Sequence, residues 1–252
     1  MEMGKMIGSL FGNDSTIGRI MTALWIMIAS NILFAVVSLP VVTIGAGLAA
    51  LHYVMLKRLH SDSSLSPIIT FWEGLKQNLK QGVICTLAFL ALGIILYLDI
   101  RFCNYQGGIL RYFKYALYAI GFFALILWIY LMPVMAAFED TIPHLIRNAL
   151  FFATKNPAKA VVLAVIWVVP MVVTYLDERM RPLYGFLWVT IAFGILAAVT
   201  SRLLYKEIAQ YLPKDPEETE EEDEQISGGA AAGRGHEKSE RKVRKELKKL
   251  DR

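Results

Sequence analysis

The chain has 252 residues, of which 56% are hydrophobic, and its mean hydropathy is +0.46 although the last forty residues are almost entirely polar. The formal net charge of +4 gives no indication of a nucleic-acid partner. These values exclude a soluble globular protein and predict a membrane domain.

The first apolar run, Ile20–Leu56, has no charged residue in 37 positions. As one helix it would measure roughly 55 Å, nearly twice the ~30 Å hydrocarbon core of a bilayer, so it must turn back or lie in the interface. Pro40 predicts a break into two helices, Ile20–Leu39 and Val41–Leu56. Alternatively, the second half is interfacial. In the second half, the small residues Gly45 and Ala49, and likewise Ala46 and Ala50, are four positions apart, a spacing that favours close packing of transmembrane helices.

Four further charge-free runs are long enough to span a bilayer as helices: Gln81–Leu98, Tyr115–Phe138, Ala160–Leu176 and Pro182–Ser201. No alternating pattern predicts a β-barrel. The predicted fold class is all-α, a polytopic membrane helix bundle with six (alternatively five) transmembrane helices arranged as three hairpins. The membrane domain is predicted to cover residues 1–212, and a disordered, charged cytoplasmic tail residues 213–252.

Basic residues are unevenly divided between the two sides of this bundle. The segments 57–82, 139–159 and 202–214 hold ten Lys or Arg, whereas the loops 99–114 and 177–182 hold five. This bias predicts that the first side, with the C-terminus, lies in the cytoplasm of a cell whose plasma membrane the bundle spans.

The N-terminus is predicted on the same cytoplasmic side if there are six spans, in agreement with Lys5 and Arg19. The break at Leu39 and Pro40 is then the outer turn of the first hairpin, and a cysteine at Thr43 should be labelled from outside. Five spans would instead place the N-terminus outside.

Two connectors on the basic side, Ser66–Gln81 and Thr141–Asn156, have similar amphipathic patterns. Each predicts a helix lying in the inner interface. The apolar stripes are Ile68, Phe71, Trp72, Leu75 and Leu79 in the first, and Ile142, Leu145, Ile146, Ala149 and Ala153 in the second. We expect both helices to dock a partner, through the candidate residues Phe71, Trp72, Lys76, Asn78, Lys80, Arg147, Asn148 and Asn156.

The residues at the break form the string Ser38, Leu39, Pro40, Val41, Val42, Thr43, Ile44 and Gly45. This string resembles the signature of the YesL-like family of bacterial integral membrane proteins, a domain of unknown function. The resemblance continues through Phe71, Lys76, Asn78, Lys80, Gln81, Pro133, Phe138, Asn148 and Ala149, and it covers roughly residues 5–212. His52 departs from it, because the family would have an aromatic residue there.

The resemblance implies an integral plasma-membrane protein that is often associated with ATP-driven carbohydrate uptake systems. It implies no reaction. The resemblance therefore indicates the kind of transport system with which the protein is associated, and it indicates no chemical activity.

His52 is the only acidic, basic or histidine side chain inside the predicted spans. Ion-coupled carriers need such groups, so their near absence argues against a secondary transporter. A carrier of neutral sugars could still be lined by Asn31, Thr86, Thr174 and Thr190, and by Trp25, Trp128, Trp167 and Trp188. Alternatively, these residues form interhelical hydrogen bonds and interface anchors.

Glu139, Asp140 and His144 form the only carboxylate and histidine cluster, and charges beside lipid headgroups explain it as well as a metal site or an acid–base pair does. The sequence contains no P-loop, His-Glu-x-x-His or Gly-x-Ser-x-Gly motif. We expect no enzyme, no cofactor and no metal. Cys85 and Cys103 are expected to be unpaired structural thiols.

The tail comprises an acidic block, Glu217–Glu224, a Gly/Ala linker, Ser227–Gly235, and a basic end from Lys238. Its composition predicts a solvated, disordered segment. Alternatively, the basic end contacts anionic lipid or folds back on the acidic block.

The sequence therefore predicts a membrane accessory or scaffold protein without catalysis, associated with carbohydrate uptake or its sensing. Its expected partners are the lipid bilayer and carbohydrate importer subunits, and no nucleic acid. The alternative is a carrier or channel for small sugar-like solutes. The sequence gives no oligomeric state.

Overall fold

The computed structural model describes residues 16–60, 65–106 and 108–211, and all regular structure within these ranges is helical. A π-helical turn at Trp188–Ala192 joins the last two α-helices, and short 3-10 turns lie at Val41–Thr43 and Ala209–Tyr211. The predicted all-α fold is confirmed. The α-helices are α1 (Thr16–Val37), α2 (Ile44–His60), α3 (Pro67–Gln106), α4 (Leu110–Ala137), α5 (Ile142–Lys155), α6 (Pro157–Leu176), α7 (Arg181–Leu187) and α8 (Phe193–Ile208).

The chain divides into two compact units, residues 1–210 and 211–252. Only Tyr211 of the second unit is among the described residues. The predicted tail boundary at 212–213, the acidic block, the linker and the basic end lie outside the described residues, and so does Lys5.

Five segments of the described chain are long and apolar enough to cross a membrane: Ile17–Val37, Pro67–Gln106, Leu110–Ala137, Pro157–Leu176 and Arg181–Tyr211. The remaining helix of the first run, α2, has 17 residues and ends with Lys57 and Arg58 in its last turn. The expectation of six or alternatively five transmembrane helices is compatible with this set.

The break predicted at Pro40 is present, and local hydrogen bonds satisfy its backbone. Pro40 has an extended backbone, with φ −76° and ψ 112°, and has no N–H with which to continue α1. The Thr43 N–H donates to the Pro40 carbonyl over 2.9 Å, and the Thr43 hydroxyl lies within hydrogen-bond distance of the carbonyl oxygens of Val37 and Pro40. The turn can therefore exist without water around it.

The central element of the bundle is α2, which contacts α1, α3, α4 and α8. Eleven of its residues are buried, because it is apolar nearly all round. The predicted small-residue packing is directed at α3. A Cβ added to Gly82 would lie 2.5 Å from the Cα of Ala46, and one added to Gly74 would lie 2.8 Å from the Tyr53 ring. The backbones of α2 and α3 are therefore in close contact.

This central helix covers only the first half of α3. The N–H of Gly45 donates to Oγ1 of Thr86 over 2.9 Å, and Lys57 at the other end of α2 pairs with Glu73 at 3.0 Å. From Thr86, α3 continues to Gln106, about 30 Å further. Its first charged residue beyond Thr86 is Asp99, about 20 Å away. The α1–α2 turn thus lies beside the charge-free part of α3.

The two predicted interfacial connectors take different forms. The first, Ser66–Gln81, is not a separate interfacial helix, because α3 continues from Pro67 through Gln81 without a break. The second is the separate amphipathic helix α5, which packs against α4 and α6. We call the end of the bundle that holds these connectors the connector end.

The opposite end, which we call the hairpin end, holds the α3–α4 and α6–α7 turns. Gly108 in the first of these turns has φ +57°, a left-handed conformation that glycine adopts without strain. Pro133 in α4 and Pro170 in α6 lie inside helices that continue past them without a break.

Candidate functional site

The string Ser38–Gly45 forms the α1–α2 turn and the entry to α2. Its apolar residues face outward, and Leu39 is 80% exposed. Gly45 is needed for close approach, since a Cβ there would lie 2.5 Å from Oγ1 of Thr86. Together with the Thr43 hydrogen bonds, these contacts show that the string determines where the first hairpin turns.

Asn31 is buried in α1 and supports the π-helical turn. Its side-chain N–H₂ donates to the carbonyls of Trp188, over 3.0 Å, and Val189, over 2.7 Å. Its Oδ1 accepts from the N–H of Gly194 over 2.7 Å. A π-helical turn interrupts the α-helical hydrogen-bond ladder, and Asn31 satisfies the groups affected. Asn31 therefore fixes α1 to the second arm of the last hairpin.

The other polar side chains predicted inside the spans are also hydrogen-bonded. The hydroxyl of Thr86 donates to Gly82 over 2.7 Å, and that of Thr174 accepts from the Trp188 indole over 2.9 Å. Thr190 bonds only to its own helix, at the carbonyl of Phe186. Asn31, Thr86 and Thr174 thus act as interhelical hydrogen-bonding groups rather than as the lining of a polar path.

The four predicted tryptophans lie in different environments. Trp25 is exposed on α1, and the Trp167 indole donates to Thr200 over 3.0 Å, joining α6 to α8. Trp128 packs edge to face on Phe89 with ring centroids 4.9 Å apart. Since Trp188 is bonded to Thr174, these rings do not converge on one sugar-binding surface.

A second group of polar side chains lies towards the connector end. His52 is buried, with Nδ1 hydrogen-bonded to Oγ of Ser201 at 3.0 Å, while its Nε2 has no partner among the described residues. The Tyr130 hydroxyl is likewise buried and unpartnered within the described chain. Nearby, Lys159 bonds to the carboxylate of Glu207. Serine beside histidine can form a nucleophile and base, yet here the Ser201 hydroxyl is fully buried, so the pair joins α2 to α8.

The predicted docking residues of α3 lie on opposite faces. Phe71 and Asn78 are buried against the bundle, whereas Trp72, Lys76 and Lys80 are exposed. The predicted apolar stripe is divided between two faces, because Phe71 and Leu75 are buried whereas Ile68, Trp72 and Leu79 are exposed. The buried face also holds small and polar residues, namely Thr70, Gly74, Asn78 and Gly82.

The predicted docking residues of the second connector also differ in exposure. Arg147 is exposed and Asn148 is half-buried. Oδ1 of Asn156 accepts from the N–H of Lys159 over 3.2 Å and so caps α6. Of these three residues, only Arg147 is fully available to a partner.

Exposed apolar side chains therefore lie on the part of α3 at the connector end. Ile68, Ile69 and Trp72 are 49%, 61% and 44% exposed. With the neighbouring Lys76, we call these residues the α3 patch. Trp72 precedes Lys80 by two turns, so Trp72 lies about 12 Å beyond the charge-free stretch.

The acidic cluster at the start of the second connector is divided between two partners. Glu139 accepts from the side-chain amide of Gln77, while Asp140 accepts from the Thr141 N–H and pairs with His144 at 3.1 Å. The Thr141 N–H, with a contribution from His144, lowers the pKa of Asp140. Within the described ranges no three His, Cys, Asp or Glu side chains meet in a metal-binding arrangement. Both cysteines of the chain are free and buried.

A cavity of about 640 Å³ lies between α3 and α4 on the hairpin-end side of the α1–α2 turn. Val41 and Ile44 close it at the turn, and Phe89 and Trp128 lie at the same end. Sequence reasoning missed it, because its existence depends on where α2 starts relative to α3.

These features define a class of protein: a polytopic helical membrane protein whose second helix packs closely against the third. A family model described as "Protein of unknown function, DUF624" matches residues 20–100, which include the α1–α2 turn and the contact between α2 and α3. This family is the YesL-like group of bacterial membrane proteins, so the resemblance predicted from the turn is confirmed. No curated protein and no solved structure matches the chain.

Proposed function

We propose that this protein is a non-catalytic accessory or scaffold of the plasma membrane that binds membrane subunits of an ATP-driven carbohydrate importer. The supporting observation is the α3 patch, where Ile68, Ile69 and Trp72 are exposed beyond the charge-free stretch of α3. An exposed apolar patch that projects past the lipid core is typical of a surface that contacts a partner.

Two features make this patch suitable for docking. It lies on a rigid element, because α3 is continuous from Pro67 to Gln106. It is also supported from the side, since Gln77 and Gln81 donate to Glu139 and to the carbonyl of Asp140 in the neighbouring connector. A partner would therefore meet a preformed surface and lose little entropy in ordering it.

The sequence supports both the kind of partner and the side of the membrane on which it binds. The family resemblance implies carbohydrate uptake systems, and the excess of Lys and Arg at the connector end favours a cytoplasmic location for the patch. Lys76 beside Trp72 would pair with acidic groups of the importer at the edge of the contact.

The absence of catalysis is part of the proposal, and it is supported by the way the chemically capable side chains are used. Ser201 and His52 are enclosed, and Glu139 is bonded to Gln77. The alternative of a sugar carrier lacks support from any described polar path, because Asn31, Thr86 and Thr174 already bond other helices.

The test is photocrosslinking from a benzophenone amino acid at Ile69 in the full chain, expressed with its own gene neighbourhood. We expect crosslinks to an importer membrane subunit, identified by mass spectrometry. The matched control is the same amino acid at Tyr105, an exposed aromatic position at the other end of the same helix. Crosslinks to lipid alone from Ile69, or the same protein products from both positions, would refute the docking role.

A substitution completes this test. Trp72→Ala removes the largest side chain of the patch and should reduce recovery of the importer subunit at least tenfold, whereas Tyr105→Ala should leave it unchanged. Both residues are exposed, so neither change should alter the melting temperature of the bundle.

A further inference from the structure

The cavity between α3 and α4 continues the slot that α2 occupies. Residues 67–86 of α3 pack against α2, and the same face over Phe89–Ile100 lines the cavity instead. The other wall is formed by α4 from Leu117 to Trp128. Because α2 starts only at Ile44, about 20 Å of the slot is left unfilled towards the hairpin end.

Two glycines keep this slot open. A Cβ added to Gly93 on α3 would meet no atom within 4 Å, and one added to Gly121 on α4 would meet only the end of Leu96 at 3.8 Å. At Gly82, which is on α3 like Gly93, an added Cβ would instead meet the backbone of α2. Glycine destabilises a helix by roughly 0.5–1 kcal/mol relative to alanine, so two glycines with open space beside them suit an occupant from outside the described chain.

The slot is apolar along its depth and has a basic rim. Asn104 and Lys114 each lie one turn beyond the last lining residue of their helix, and the Lys114 ammonium donates to Oδ1 of Asn104 over 3.5 Å. The rim segment 99–114 contains three basic residues and one acidic residue, Asp99. An apolar slot that ends at a basic rim is complementary to an acyl chain attached to a phosphate.

The length and the rim of the slot favour an anionic lipid. The slot is long enough for the acyl chain of one leaflet in a ~30 Å hydrocarbon core. An apolar helix would fit beside α3 and α4, as α2 does in the other half of the slot, but it carries no anionic group for the basic rim. An anionic phospholipid supplies both an acyl chain for the slot and a phosphate for the rim.

We propose that this slot binds one acyl chain of an anionic phospholipid from the leaflet at the hairpin end, with the phosphate at Lys114. The site is independent of the importer contact, since it lies on the opposite half of α3 from the α3 patch. The bound chain would complete the packing that α2 provides at the connector end.

The test uses the purified full chain in phosphatidylethanolamine vesicles that contain phosphatidylglycerol with a diazirine in one acyl chain. We expect labelled peptides from Phe89–Ile100 and Leu117–Trp128 at several times the level found on the exposed helix α6. Gly93→Phe should fill the slot and reduce this labelling at least fivefold. Gly185→Phe is the matched control, because a Cβ at Gly185 also meets no atom within 4 Å but lies outside the cavity.

Lys114→Gln tests the rim without altering the slot. Unlabelled phosphatidylglycerol should compete better than phosphatidylcholine for the wild-type chain, and this preference should disappear in the variant. Labelling of the slot at the level of α6, an unaffected Gly93→Phe variant that melts normally, or a preference unchanged by Lys114→Gln would each overturn the proposal. So would replacement of the lipid label by crosslinks to a second polypeptide.

Discussion

Gly82 is the position where α2 and α3 approach most closely, and Gly82→Ala is expected to destabilise the bundle. The added methyl group would lie 2.5 Å from both the Cα and the N of Ala46. Because these are backbone atoms, no side-chain rotation relieves the contact, and the helices must separate by about 1 Å to restore a normal distance of ~3.5 Å. That movement also stretches the hydrogen bond between Gly45 and Thr86.

Overpacking of a close contact costs about 1–3 kcal/mol, and strain in two backbones together with the weakened hydrogen bond places Gly82→Ala at the upper end. The better helix propensity of alanine recovers up to ~1 kcal/mol. We expect a net loss of about 2 kcal/mol, or roughly 4–8 °C in melting temperature for a domain of this size.

The chain provides its own reporter for this measurement. Cys85 and Cys103 are 4% and 7% exposed, so a fluorogenic maleimide in detergent should react with them only as the bundle unfolds. Gly93→Ala on the same helix is the matched control, and it should melt at the wild-type temperature or slightly above. Equal melting temperatures for Gly82→Ala and Gly93→Ala would refute the close contact.

Three further predictions follow from other contacts. Asn31→Leu should cost about 2–4 kcal/mol in the same melting assay, because it leaves the groups around the π-helical turn without their partner. A cysteine at Leu39 should resist a charged, membrane-impermeant maleimide applied from either side, whereas a cysteine at Tyr105 should react from one side, because the α1–α2 turn lies beside the apolar stretch of α3. Lys159→Met and Glu207→Leu should each cost about 2 kcal/mol, and the double variant less than their sum, because each single change leaves one charge unpaired in a largely buried pair.

Each of these predictions has a contradicting result. Thr190→Val removes hydrogen bonds within one helix only. A loss of stability as large as that of Asn31→Leu would show that the hydrogen bonds from Asn31 to the π-helical turn have no special importance. Labelling of Leu39→Cys as fast as Tyr105→Cys would show that the α1–α2 turn is exposed to water, as an outer turn would be. Additive effects at Lys159 and Glu207 would mean that their charges are not coupled.

The elements that the sequence predicts well are those determined by local composition. The charge-free runs fix α4 and α6, and Pro40 fixes the break, because a residue without an N–H cannot continue the ladder of α1. The unpaired state of Cys85 and Cys103 follows from their separation along one helix. These features require no knowledge of the neighbouring helices.

The features that depend on the identity of a neighbour were not predictable. The apolar stripe of α3 groups Ile68 and Trp72 with Phe71, whereas only Phe71 of these three is buried. The Ala-rich α2 packs closely against Gly74 and Gly82 of α3. The depth of α2, and with it the cavity, is a tertiary property. For the π-helical turn the only signal was Asn31, a polar residue in an apolar helix.

The hydrogen bonds of Asn31 also affect how the protein can be made. Their partners lie 157 to 163 positions later in the chain. At roughly 5–20 residues per second, a ribosome needs about 8–30 seconds to synthesise that interval. During this time the first helix resides in the bilayer with an unsatisfied amide, which is costly in hydrocarbon. The position of α1 is therefore expected to become fixed late in biosynthesis, and chains that stop before the π-helical turn should be degraded, because the Asn31 amide then lacks its partners.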